Sequence, residues 1–313
     1  MLITDLFTKN NKPIKKTETI CKRLLHPISI TKNVSLNVLR GMQKYRVKGN
    51  FIISLPYTQS QLLLFPFAGF FDNKTLLITG YKDISKQAEV LDLVAKESTV
   101  LPSKFTFPVT TYEATGGVTH GIPFIIDGKK CRKLTSKGWQ TFAQLKTRRE
   151  FAASFVLQDN QIWVTGGIKG VQALKSTEII NIKTNECKKG PELPTEVWGH
   201  AMAKLNETAI LIIGGATSTN DDSIKKNCWF YDQHSSEFTP GPEMNDGRAW
   251  FGWGIISSSL HNGRHCLLVA GGLSLWGKKS YPSYMASGEI LDFTRQNATW
   301  KKSNGLSIYI LFI

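Results

Sequence analysis

Read for its apolar and polar positions, the chain is a succession of short apolar runs separated by polar, turn-rich stretches, a pattern that favours strands over a bundle of long helices. Five of these runs end in glycine: LLITG (76–80), YEATGG (112–117), IWVTGG (162–167), LIIGG (211–215) and LLVAGG (267–272). Their final glycines are spaced by 37, 50, 48 and 57 residues, which makes this an internal repeat.

After each glycine comes a polar loop and a second apolar segment: VLDL (90–93), CRKL (131–134), EIINI (178–182), CWFYD (228–232) and EILDF (289–293). A third element follows, often closed by proline: TVLP (99–102), WQTFAQL (139–145), CKKGPELP (187–194), EFTPGPEM (237–244) and ATWKK (298–302). A fourth strand leads to the next glycine, as in FAASFVL (151–157), HAMAKL (200–205) and WFGWGII (250–256). Four short strands per repeat make the blade of a β-propeller. Such a blade cannot bury both faces alone, so blades must stack around an axis, each covering its neighbour. An ordinary β-sandwich accounts for neither the common order of four elements nor the period.

These residues resemble the kelch repeat family, whose pattern joins an apolar strand, a Gly-Gly doublet, a later aromatic and a distal Trp. In the best copy Trp139, Leu145, Arg148, Ala153, Ile162, Trp163 and Gly166-Gly167 follow that order, and Gly190-Pro191 and Gly241-Pro242 match its Gly-Pro step. The expected fold is all-β, a kelch-type propeller of four-stranded blades with about five blades legible in an incomplete or irregular six-bladed ring. The strand-ending glycines are Gly80, Gly116, Gly117, Gly166, Gly167, Gly214, Gly215, Gly271 and Gly272. The first copy has Thr79-Gly80 in place of the doublet, the second runs through Glu113 and Thr115, and the distal Trp is replaced at Thr99, Cys187 and Phe238. The expected organisation is a basic, poorly ordered leader (1–50), an apolar segment (51–74) that is a degenerate blade or closing strand, the repeats (75–302), and an atypical tail (303–313). An open ring leaves an unpaired edge. Either residues 51–71 supply a poor sixth blade or the sequence is a fragment, and the second is favoured.

Among 313 residues, 41% hydrophobic content is enough for a sizeable core and excludes wholesale disorder. The formal charge of +15 raises the question of nucleic acid, but its distribution argues otherwise. Residues 1–50 hold eleven Lys and Arg against Asp5 and Glu18, a net of +9, so the rest carries 28 basic against 22 acidic side chains, only +6. Nucleic acid is not an expected partner. Pro56, Gln59, Gln61 and Pro66 interrupt the apolar stretch 51–71, so no stable membrane span is expected. The N-terminus does not read as secretory, although a start at Met42 would give a rough signal peptide. Compartment stays open.

The five cysteines (Cys21, Cys131, Cys187, Cys228 and Cys266) are odd in number, widely spaced and free of any CxxC pair; core packing is expected of Cys131 and Cys228. His261 and His265 flank Asn262-Gly263, a hairpin turn, and so read as turn-flanking rather than metal-ligating. No GxSxG, HExxH or P-loop is present. The expectation is no catalytic residue, no metal and no cofactor. The resemblance implies that function resides in the second-to-third and fourth-to-first strand connections: 168–175, 216–227 and 273–287, with 146–150, 195–200 and 245–250. These offer Arg148, Arg149, Trp198, His200, Arg248, Trp250 and Trp276 as candidate contacts for a protein or peptide partner. Arg148, His200 and Arg248 also read as recurrent positions that pin blade to blade. The leading expectation is a non-enzymatic interaction module. The alternatives are a secreted oxidase or carbohydrate-binding propeller similar to galactose oxidase, and the substrate-recognition part of a cullin ubiquitin ligase adaptor without its BTB domain.

Overall fold

The computed structural model describes residues 46–47, 50–51, 64–70, 75–82, 85–92, 97–106, 114–157, 160–219, 223–258, 264–276, 282–285 and 287–303. Most of the expected leader, much of the apolar segment, the turn at Asn262-Gly263 and the tail beyond Ser303 lie outside the described residues. Strands β1 (Arg46–Val47) and β2 (Asn50–Phe51) form a small antiparallel pair.

Five sheets follow, each built from consecutive antiparallel strands. The first is β3 (Leu64–Phe70), β4 (Thr75–Lys82), β5 (Ser85–Asp92) and β6 (Glu97–Val100). The second is β7 (Thr115–Thr119), β8 (Ile122–Thr135) and β9 (Gly138–Arg149). In the third, β10 (Ala153–Leu157) and β11 (Gln161–Thr165) lead through the hairpin β12 (Ile168–Lys169) and β13 (Gln172–Ala173) to β14 (Thr177–Asn181) and β15 (Cys187–Lys189). The fourth is β16 (Ala201–Lys204), β17 (Ala209–Ile213), β18 (Cys228–Asp232) and β19 (Glu237–Pro240). In the fifth, β20 (Gly252–Ser258) and β21 (Arg264–Ala270) lead through the hairpin β22 (Leu273–Trp276) and β23 (Pro282–Tyr284) to β24 (Gly288–Leu291) and β25 (Trp300–Ser303). This is the expected propeller of four-stranded blades, with the second blade reduced to three strands.

The second strand of a blade reads as an unbroken apolar run because both of its faces are buried. In β11, Ile162 and Val164 pack against Phe124, Ile126, Cys131 and Leu145 of the second blade, while Trp163 between them packs against Met202, Ile210, Ile212 and Tyr231 of the fourth. In β17, Leu211 and Ile213 turn the other way, onto Phe251, Leu267, Val269 and Trp300 of the fifth blade. Alternate residues thus serve alternate neighbours, which is the period-two geometry of a strand inside a stack. Cys131 and Cys228 fill these layers as expected, and burial pushes both thiols up to about 12.

The doublets close the third, fourth and fifth blades with positive φ at both glycines, for example +56° and +93° at Gly214 and Gly215. A Cβ on Gly215 would lie 2.5 Å from Val197 Cγ2 and 2.8 Å from Trp198 O, so this position admits glycine alone on both conformational and steric grounds. Two expectations change. Gly116 and Gly117 lie inside β7, opposite Ile125 and Phe124, and belong to a first strand rather than the end of a second. Gly80 lies inside β4, opposite Gln87. In the second blade, β8 runs through fourteen residues into β9 with register shifts at 128/130 and 131/132, leaving no place for a doublet. The first blade also begins earlier than expected, at Leu64.

At the doublets the chain leaves the apolar layer, and a repeated polar clamp holds it there. The Arg149 side chain donates to Gly166 O (2.8 Å), Ser176 O (2.6 Å), Ser176 Oγ (3.0 Å) and Glu178 Oε1 (3.2 and 3.3 Å). Glu178 also accepts the backbone N–H groups of Lys146 (2.6 Å) and Thr147 (3.0 Å). Ninety-nine residues on from Arg149, Arg248 donates to Gly271 O (3.0 Å), Ser287 O (2.9 Å), Ser287 Oγ (2.9 Å) and Glu289 Oε1 (3.2 and 3.3 Å). Glu289 accepts the N–H groups of Asn245 (2.7 Å) and Asp246 (3.1 Å). Burial pushes the Glu178 carboxyl up, but the Lys146 N–H, the Cys187 thiol, the Thr147 N–H and the Arg149 charge outweigh it and hold the group below its ordinary value.

Arg248→Met should cost about 3–5 kcal/mol in urea unfolding, because it leaves Glu289 buried and uncompensated. Combined with Glu289→Leu, the double-mutant cycle should give a coupling of about 1–3 kcal/mol. Arg148→Ala, which removes a partly exposed ion pair to Glu150, should cost under about 1 kcal/mol.

Candidate functional site

The second-to-third and fourth-to-first connections meet at one end of the blades. Paired backbone bridges tie them together: Glu150 with Ile168, Trp198 with Ala216, and Ala249 with Leu273. These bridges fix the equivalence of the three junctions. Arg149, Val197 and Arg248 occupy one position, and Phe151, Gly199 and Trp250 another. The expectation that Arg148, His200 and Arg248 recur is therefore corrected: Arg149 matches Arg248, and His200 matches Ala152 and Phe251.

The structure divides the candidate contacts. Arg149 and Arg248 are 2% and 0% exposed, with their guanidinium groups committed to the clamps, so they are structural and not available to a partner. Trp198 is buried, its indole N–H donating to Ser218 O (3.2 Å). His200 is buried under the Gly166-Gly167 turn, 2.8 Å from Thr165 Oγ1 through Nε2, with Nδ1 unpartnered among the described residues. Arg149 and Trp198 are corrected from partner contacts to packing residues, and of the two readings open for His200 and Arg248 their burial fits the structural one, because the turn folds these side chains back onto the next blade. Arg148 is more than half exposed and pairs with Glu150. Trp250 is half-buried. Trp276 ends β22, and its side chain lies outside the described residues.

Phe151 is a residue the sequence reading missed. It and Trp250 both hold left-handed backbone, φ +53° and +52°, where the third junction has Gly199 at +63°. Gly199 N–H donates to Phe151 O (2.8 Å) and Trp250 N–H donates to Gly199 O (2.9 Å), one bond per blade. Phe151, Trp198 and Trp250 pack into one cluster with ring centroids 5.6, 5.0 and 4.9 Å apart. Ile168, Ala216 and Ala249 form its floor. Beside it, Val171 at the tip of the β12–β13 hairpin is 80% exposed.

A second feature lies at the junction that lacks a clamp. Leu193, Pro194, Thr195, Val197, Trp229 and Asn227 are among the residues lining a cavity of ≈ 180 Å³ between the third and fourth blades. Trp229 there stands where Glu178 and Glu289 stand in their blades, opposite Ile212 as they are opposite Val164 and Val269. Among the described residues no group of three or more His, Cys, Asp and Glu side chains could hold a metal ion, and no helix is long and apolar enough to cross a membrane.

Burial lowers the His200 pKa to about 3, so the folded state keeps it neutral while the unfolded chain protonates it near 6.5. Stability should therefore fall as pH drops from about 6.5 toward 3, by up to about 1.4 kcal/mol per pH unit. His200→Gln, which keeps a hydrogen bond to Thr165 without titrating, should flatten urea-unfolding stability between pH 6.5 and 5, a window above the titration of Glu178. An unchanged slope would mean that His200 is accessible to protons in the folded state.

Comparison with known proteins agrees with this architecture. Residues 152–194, the third blade with its flanking turns, match the family described as the kelch motif. No curated protein matches the chain by sequence. A solved structure described as "Structure of YjhT" is similar to this chain with a TM-score of 0.52 and 20% identity, covering 62% of this chain; the chain spans 65% of that structure's length. That likeness concerns the fold. The chain thus carries a kelch motif on its third blade, set among neighbouring sheets arranged as in a β-propeller.

Proposed function

We propose that this chain is a non-enzymatic interaction module that binds a protein or peptide partner at the loop end of its blades, around Phe151 and Trp250. The observation that carries this reading is the backbone at these two residues. Left-handed φ at a bulky aromatic costs of order 1–3 kcal/mol, and the sister position shows that glycine serves the same turn without that cost. Keeping two aromatics there is best explained by what their rings do. They supply a rigid, half-buried apolar surface at the place where loops from three blades converge, and aromatic side chains of this kind are enriched among residues that dominate binding energy. Arg148 with Glu150 and the exposed Val171 give that surface a mixed polar and apolar rim. Kelch-type propellers generally bind proteins, which agrees with this reading.

The test uses Phe151→Gly and Trp250→Gly. Because the left-handed backbone suits glycine, both variants should fold, with Tm within a few degrees of the parent. Selection of displayed peptides on the full chain should enrich a specific sequence class whose affinity falls about tenfold or more in each variant. Equal binding by parent and variants, or enrichment of nothing, counts against the proposal. Retention of oligosaccharides instead, lost in the same variants, would move the site to a carbohydrate-binding class.

A further inference from the structure

We propose that the cavity between the third and fourth blades is a subsite for an arginine side chain of the partner, taking in trans the group that the two sister junctions supply in cis. The proposal rests on the interaction-module reading only for the source of the arginine; the subsite itself is argued from the repeat.

Each clamp has four parts: an arginine in the fourth-to-first turn, the carbonyl of the first doublet glycine, the carbonyl of the residue preceding the third strand, and a carboxylate on that strand. At the 149 junction the carbonyls are Gly166 O and Ser176 O, and at the 248 junction Gly271 O and Ser287 O. The third junction keeps the same backbone. Gly214 N–H donates to Asn227 O (3.0 Å), as Gly166 N–H donates to Ser176 O (3.2 Å) and Gly271 N–H to Ser287 O (3.0 Å). Gly214 and Asn227 thus bring the two acceptor carbonyls to the corresponding place, and both residues line the cavity. What differs is the side chains: Val197 replaces the arginine and Trp229 the glutamate. Valine is too short to reach the carbonyls, and the space it leaves is the cavity. At ≈ 180 Å³ it exceeds the roughly 150 Å³ that admits a benzene-sized guest.

The chemistry of the walls selects the guest. Two backbone carbonyls spaced for one guanidinium nitrogen disfavour an anion and suit a planar donor. The Trp229 indole lines the cavity in place of a carboxylate, and an aromatic wall suits a guanidinium better than an ammonium. Thr195 and Thr217 are polar members of the same lining. Among the described lining residues Lys225 carries the charge, so reversing it gives an independent handle on the binding of a cation.

The experiment titrates the full-length protein with N-acetyl-arginine methylamide, and with its lysine and citrulline counterparts, following methyl resonances of Val197 and Ile212 by NMR. The arginine probe should bind about fivefold or more tightly than either counterpart. Val197→Arg, which would place a guanidinium in the cavity from the chain itself, should weaken probe binding about tenfold or more, and Lys225→Glu should tighten it about threefold or more. Phe151→Gly and Trp250→Gly lie outside the cavity and should leave probe binding unchanged. No preference for arginine, a preference for the neutral citrulline probe, or indifference to both Val197→Arg and Lys225→Glu would overturn the proposal. If the probe fails while peptide binding still depends on Phe151 and Trp250, only the subsite falls.

Discussion

A buried arginine paired with a buried glutamate is where this propeller's loop end is decided. Apolar packing explains why the blades stack, since every second strand has two faces to cover, but it is non-directional and does not say how a chain leaves one blade and enters the next. At Arg149 and Arg248 that exit is specified by direction. Each guanidinium is spread over two carbonyls, a hydroxyl and a carboxylate, and the carboxylate in turn holds two N–H groups of the turn that carries the arginine. A buried ion pair is weak grounds for stability in general, because desolvation offsets the attraction. Here its more secure consequence is geometric: with the donors and acceptors this fully engaged, few other turn conformations are compatible with the pair.

The junction at Val197 separates what the repeat requires from what it permits. Its backbone bridges, doublet hydrogen bonds and left-handed Gly199 match its neighbours, yet the ion pair is gone and an apolar pair stands in its place. The turn can therefore form without the clamp when Leu193, Val197, Met202 and Ile212 pack beneath it. Both members of the pair change together, as the physics demands: an arginine facing Trp229 would lose its carboxylate, and a glutamate facing Val197 would be buried without a counter-charge. Two apolar side chains of different length do not refill the volume of an ion pair, and the remaining space is the cavity.

How much of this was legible depends on how local each signal is. The three true doublets, the apolar run before each and the third strands were readable because strand burial writes itself into consecutive residues. Gly116-Gly117 has the same letters in another role, since whether a glycine pair ends a second strand or sits inside a first depends on the fourteen-residue strand β8 downstream. The short spacing of 37 residues was the warning. The loop residues were harder. Arg149 read as a contact, and Arg248 as either a contact or a blade-pinning residue, because both are charged and lie in turns, and what buries them is a glutamate 29 or 41 residues away. Counting from the Gly-Pro steps would have helped: Val197 and Gly199 follow Gly190 at the same distances that Arg248 and Trp250 follow Gly241.

The three blades therefore share a backbone at the loop end and differ in what they place on it. At one position the chain has arginine, valine and arginine, and at another, two residues on, phenylalanine, glycine and tryptophan. The second set is the more informative, because there the backbone favours glycine and two of three blades depart from it. Ring packing among Phe151, Trp198 and Trp250 offsets part of that cost, and glycine at 199 shows that the turn closes without an aromatic there. The clamps hold the turns that carry Phe151 and Trp250, one on each side of the junction that has no clamp. The aromatic cluster and the unclamped junction make a loop end that differs from blade to blade, and under the proposed reading that difference, rather than the repeat itself, would set the choice of partner.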